Sequence, residues 1–189
     1  MTDTNICAFV DAQGFYINGK FVVRECAIVS EKLQLCQEFN PNFKWNDLSD
    51  ADKSNVKYCT KYHGLTLNPK DLYLIPNSNK IEDYLKSFYT LLATDEKPYF
   101  AVKNDQFKQL LIDFNIPHCD LNKRNIPAIK QLERDFRTTW ICSHHMLSRN
   151  RYFKCAYRKC LIIWKYFCYF SGESQYLKET TLKNETTSN

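Results

Sequence analysis

The chain has 189 residues, of which 44% are hydrophobic and 15% aromatic, and 26 Lys and Arg against 21 Asp and Glu give a net charge of +5. This length buries most of its apolar surface in one domain without staples, and four glycines and six prolines exclude fibrous and low-complexity classes. No apolar run approaches the roughly 20 residues of a membrane span, and a pI near 8.6 permits an acidic partner such as nucleic acid without requiring one.

Three strands come first, over Ile6 to Ala12, Lys20 to Val29 and Leu33 to Phe39, rich in Val, Ile, Phe and Cys and joined by turn-like bridges. Asn18-Gly19 in "FYINGK" is a strong hairpin signal, so the first two pair antiparallel. "DLSDADKSNVKYCTKY" reads as a helix capped by Ser49 with Val56 and Cys59 inward. In "NKIEDYLKSFYTLLA" the residues Ile81, Tyr84, Leu85, Phe88, Leu91 and Leu92 form one apolar stripe. A buried strand at Pro98 to Val102, a helix "NDQFKQLLIDF" capped near Asn104 or Asp105, a strand at Ile116 to Cys119 and a helix "AIKQLERDF" follow. The last element spans Arg151 to Phe170, with Phe153, Tyr157, Cys160, Leu161, Trp164 and Cys168 on one face. Residues 171–189 lose the apolar pattern and read as a disordered tail. The expected fold is one α/β domain over residues 6–170, with three antiparallel strands continued by parallel ones in a mixed sheet and helices on both faces.

The polar start carries no secretory signal, so the chain reads as intracellular, in cytoplasm or nucleus. Nine cysteines in such a chain are reduced thiols or metal ligands rather than a disulfide framework. Cys7, Cys26, Cys36 and Cys59 lie in apolar stretches and are expected to pack as small hydrophobes.

Three strings, "FVDAQ", "RECAIV" and "YHGLTL", stand in the order of the D-x-E, E-I-A-like and HGI motifs of ribonuclease H-like exonucleases of the four-acid DEDD group, which the chain resembles. Two-metal nucleases need several carboxylates to hold their cations. By this resemblance Asp11 survives, but the second acid is Gln13, the third aligns with Lys108 beside Phe107, and the fourth is Lys159; Asp105 as an out-of-register substitute is the less favoured alternative. The resemblance therefore implies a relic site without magnesium.

"CSHHMLSRNRYFKC" supplies Cys142, His145 and Cys155, a donor set that favours zinc and leaves a tetrahedral site one ligand short. Here the chain is similar to the Maelstrom domain, a ribonuclease H-like fold that has lost the DEDD acids, and to short arthropod members with a "FVDxQGF" start. The family's glutamate, cysteine, histidine, cysteine zinc set then falls on Glu25, Cys142, His145 and Cys155. Independently, a carboxylate at Glu25 amid apolar neighbours needs an ion or a cation. Arg24 or a solvent-facing strand would also account for it, and core cysteines with a solvated histidine are the plainer alternative. His63 with Gly64 reads as a turn cap, and His118 beside Cys119 as packing.

Basic residues gather in the second half. Arg149, Arg151, Lys154, Arg158 and Lys159, interleaved with Tyr152, Phe153 and Tyr157, suit single-stranded nucleic acid or form a solvated face over an aromatic core. The leading expectation is a zinc-stabilised, noncatalytic domain that binds single-stranded RNA or acts as a protein adaptor. The resemblance implies small-RNA (piRNA) transposon silencing. The alternatives are a divergent metal-dependent nuclease for single-stranded RNA and a protein-interaction module of a mobile element or virus.

Overall fold

The structure, a computed structural model, describes residues 5–68, 75–136, 142, 145 and 155–170. The expected tail and positions 149, 151 and 154 lie outside them. The described chain is α/β, with a five-stranded mixed sheet in the order β3-β2-β1-β4-β5. Its strands are β1 (Ile6–Ile17), β2 (Lys20–Val29), β3 (Gln34–Glu38), β4 (Tyr99–Val102) and β5 (His118–Asp120). Neighbours within β1, β2 and β3 run antiparallel, whereas β4 and β5 continue the sheet in parallel. Five α-helices are described, α1 (Asp50–His63), α2 (Ile81–Leu92), α3 (Asp105–Asp113), α4 (Ile129–Asp135) and α5 (Ala156–Phe170), with short 3-10 turns at Trp45–Asp47, Ser78–Lys80 and Leu121–Lys123. None is long and apolar enough to cross a membrane.

The strands alternate between two cores because successive side chains leave a strand on opposite faces. Ala8, Val10, Ala12, Cys26, Ile28, Phe100 and Val102 pack with Ile81, Leu85 and Leu92 of α2 and Phe107 and Leu111 of α3. Phe9, Ala27, Val29, Ala101 and Cys119 meet Leu132 of α4 and Cys160 to Ile163 of α5. Each fully buried Leu or Phe contributes about 2 kcal/mol of transfer free energy. Leu91, expected inward, is 67% exposed, and α2 buries a narrower stripe than its sequence suggested.

β1 runs five residues beyond its expected end, through Gln13 to Ile17, which the sequence suggested was a bridge. The pairing shifts register between Gln13 and Gly14, a β-bulge that lets the strand bend without ending. A Cβ on Gly14 would collide with the backbone carbonyl of Val22, so only glycine fits there. The hairpin turns on Asn18 (φ 52°) and Gly19 (φ 73°), the two positive φ values of a tight primed turn.

α1 starts as expected, with Ser49 Oγ accepting from the Asp52 amide. Ser49 in turn donates to Asp52 Oδ2 (2.6 Å), and Asp52 Oδ1 accepts from the amide of Asn18 (3.1 Å), so the cap also fastens α1 to the hairpin. Asn55 adds a second tie, accepting from the Tyr16 amide (2.8 Å). α1 ends at Gly64 (φ 76°), the left-handed residue expected there.

Candidate metal centre and the adjoining cleft

Glu25 points into the core from β2, opposite Gln13 on β1 and Glu38 on β3. The neighbouring side chain Arg24 does not neutralise it. Its guanidinium, also fully buried, bonds Glu38 Oε2 (2.7 Å), the Thr66 carbonyl (2.9 Å) and the Phe39 carbonyl (3.2 Å). Nor does the strand face solvent at this point, since Glu25 is 0% exposed. Both alternative explanations for the carboxylate therefore fail.

Cys142, His145 and Cys155 surround it instead. One ligand atom from each of the four residues lies within 4.8 Å of the others, and all four residues are buried. Donors of a tetrahedral zinc ion sit about 3.3 to 3.8 Å from one another, given the metal–sulfur and metal–nitrogen bond lengths. The observed separations approach that spacing: Cys142 Sγ to His145 Nδ1 is 2.8 Å and His145 Nδ1 to Glu25 Oε2 is 3.6 Å.

The surroundings orient each donor. His145 Nε2 donates to the His63 carbonyl (2.7 Å), which leaves Nδ1 as the atom facing Cys142 and Glu25. Glu25 Oε1 accepts from the Ala156 amide at the start of α5 (3.1 Å) and from the Cys155 thiol (3.4 Å). Glu25 Oε2 has no hydrogen-bond partner among the described residues, although it is buried. A buried carboxylate oxygen aimed at two cysteines and an imidazole is an electrostatic cost that a divalent cation removes.

The titration behaviour points the same way. Burial, reinforced by the charge of Cys142, pushes Glu25 up to about 6. Hydrogen bonds to Cys155 and Cys36 hold Cys142 well below the usual thiol range. Burial opposes protonation of His145, yet its bond to Cys142 and the charge of Glu25 raise it to about 9. A proton on this ring thus does part of what a metal cation would do.

Cys36 was expected to be an ordinary core cysteine. It is half-buried on β3, and its thiol donates to Glu25 Oε1 (3.2 Å). Because Ala27 pairs with Cys36 and Glu25 with Glu38, Glu25 and Cys36 are diagonal neighbours on one face of the sheet. Of the other cysteines, Cys7, Cys26 and Cys119 are buried in the sheet cores, as packing would have them.

A cavity of about 560 Å³ lies beside the centre, lined by Asp11, Gln13, Tyr58, Tyr62, His63 and Lys159 among others. Asp11, the acid expected to be a relic, has its Oδ2 3.1 Å from Lys159 Nζ of α5. Burial is the largest single influence and disfavours the ammonium, but the charge and hydrogen bond of Asp11, with smaller contributions from Tyr62 and Cys160, together raise Lys159. Gln13 Nε2 is buried without a hydrogen-bond partner among the described residues. Lys108 turns elsewhere and bridges Asp105 (3.0 Å) and Asp120 (2.9 Å). Asp105, the suggested substitute acid, is therefore bound to Lys108 on an exposed helix start. Of the five cations assigned to nucleic acid, the two described are both paired: Lys159 with Asp11, and Arg158 with Glu133 (3.7 Å). Tyr157 donates to Gln34 (3.0 Å).

His63 joins the cleft to the metal centre. Its Nδ1 accepts from the Leu65 amide (3.1 Å), so Nε2 carries the hydrogen donated to the Gly14 carbonyl (3.1 Å). The expected turn-capping role holds, and a bond to the bulge is added. Both ring nitrogens are committed in the neutral form, and burial lowers the pKa to about 4 against an ordinary 6.5, the Gly14 bond opposing it. The unfolded chain therefore binds this proton at a pH where the folded chain refuses it. Stability is full above about 6.5 and falls as the pH drops towards 4, by about 3 kcal/mol from this group. Denaturant titrations of metal-stripped protein at pH 7 and 4.5 should show that loss, and His63→Gln should flatten it; an equal loss in the variant would refute the assignment.

Comparison of the chain with protein-family models, curated proteins and solved structures gives no match.

Proposed function

We propose that the chain is a ribonuclease H-like domain in which a structural zinc ion, held by Glu25, Cys142, His145 and Cys155, has taken over from a disused catalytic centre, and that the domain binds single-stranded RNA rather than cutting it. The observation that carries this reading is the buried four-donor group, with its orphaned carboxylate oxygen. Bound zinc would neutralise that charge and tie β2 to the start of α5, more than a hundred residues on. All four positions are filled by protein donors, which is the pattern of a structural site rather than a catalytic one with an open position.

The cleft supports the noncatalytic half of the proposal. Two divalent ions need several carboxylates between them. Here Asp11 faces a neutral Gln13, and the Lys159 ammonium stands against it where a metal would have to bind. A cavity with a lysine, an unpartnered amide donor and two exposed tyrosines, Tyr58 and Tyr62, offers donors for phosphate and stacking faces for unpaired bases. The two rings stack on each other at 6.4 Å. The resemblance to the Maelstrom domain is what suggests small-RNA-guided transposon silencing as the setting for such binding; the adaptor role is the same surface used by a protein.

Fluorescence anisotropy with labelled single-stranded RNA tests this. Binding should be measurable in low salt and weaken as salt rises, because neutralised phosphates release counterions. The labelled strand should stay intact in magnesium or manganese. Cleavage that needs either ion and disappears in Asp11→Ala would overturn the proposal in favour of a nuclease. Absence of binding at low salt would leave the interaction-module reading.

A further inference from the structure

We infer that Cys36 is a fifth donor of the metal centre, which replaces Glu25 when the bound ion is soft and so converts a two-thiolate site into a three-thiolate one. This rests on the metal reading proposed above. The Cys36 thiol lies 3.2 Å from Glu25 Oε1, and Glu25 is itself within 4.8 Å of the ligand atoms of Cys142, His145 and Cys155, so the Cys36 sulfur stands at the edge of the group. Packing alone does not require that contact, since β3 is an edge strand of the described sheet, exposed at Gln34 and half-buried from Leu35 to Glu38.

The carboxylate is built to be exchanged. Its Oε1 already accepts from Ala156, Cys155 and Cys36, while Oε2 has no hydrogen-bond partner among the described residues and lies 3.6 Å from His145 Nδ1. If the bond from the ion to Oε2 breaks and one to Cys36 Sγ forms, the displaced carboxylate keeps its backbone anchor. The thiol proton passes along the existing hydrogen bond to Glu25, so protons and net charge in the buried site are conserved. Thiolates favour soft ions over carboxylates, so cadmium should prefer the exchanged set more strongly than zinc or cobalt does. The edge strand carrying Cys36 has neighbours on one side only and can make the small approach required.

The test uses the full chain, stripped of metal and reloaded with Co2+ or Cd2+, and reads thiolate-to-metal charge-transfer absorption, which grows with the number of coordinated sulfurs. With Cd2+, Cys36→Ser should remove about a third of the wild-type band, three thiolates becoming two. With Co2+, Glu25→Gln should still bind, and its band should be about half as large again as that of the wild type. Adding Cys36→Ser to Glu25→Gln should reverse that gain and weaken binding at least about tenfold. If Glu25→Gln does not fold, the cadmium comparison decides alone. Wild-type protein that loads while Cys36→Ser gives the same cadmium band sinks the Cys36 assignment only; wild-type protein that takes up neither ion sinks the metal centre and this inference together.

Discussion

Cys142→Ala is expected to lose its zinc and to melt about 10 °C below the metal-loaded wild type. The magnitude follows from linkage. An ion present at a thousand times its dissociation constant adds about 4 kcal/mol to the folded state, and 1 kcal/mol moves the midpoint of a domain of this size by about 2 to 4 °C. Cys142 is the donor to remove because its Sγ lies 2.8 Å from His145 Nδ1 and it is buried within the four-donor group. If it were only a small hydrophobe, truncation to alanine would cost about 1 kcal/mol and a chelator would change nothing.

The two cases separate with one control. Chelator should bring the wild-type midpoint down to that of the variant and leave the variant unmoved. Metal analysis of the wild type should find one ion per chain. Acid should release it, since the ion has to displace the protons that His145 and the thiols otherwise hold. Wild-type protein that carries no stoichiometric ion and melts identically with and without chelator would remove the centre from the account.

Lys159→Ala is expected to cost about 3 to 5 kcal/mol, because it strands a buried carboxylate whose partner has gone. Asp11 is 7% and Lys159 20% exposed at the side chain, and their charged atoms are 3.1 Å apart. Replacing both, as in Asp11→Asn with Lys159→Met, should recover most of the loss, since no charge is then left buried. Magnesium should not rescue Lys159→Ala, because one carboxylate beside a glutamine is too poor a ligand set for a hard, octahedral ion. Thermal melts of the three proteins with and without excess magnesium read all of this. An unchanged midpoint in Lys159→Ala would mean that solvent screens the pair as it does surface ion pairs.

Much of this protein is legible in local pattern. β2 begins and ends where its apolar run does, the Asn18-Gly19 turn sets the hairpin, and Ser49, Asn104 and Gly64 mark helix ends, because caps and turns depend on a few adjacent residues. The four residues that the structure brings together as a group that could hold a metal ion were also nameable, Cys142, His145 and Cys155 from their donor types and Glu25 from the resemblance to the Maelstrom domain. That Arg24 turns to Glu38, that Cys36 reaches Glu25, that Lys108 leaves the cleft for Asp120 while Lys159 enters it, and that β1 continues through the Gly14 bulge were not. Each of these depends on strand register or on how a helix docks against the sheet. Such contacts join residues far apart in the chain, and neither periodicity nor propensity carries information about which distant partner a side chain meets.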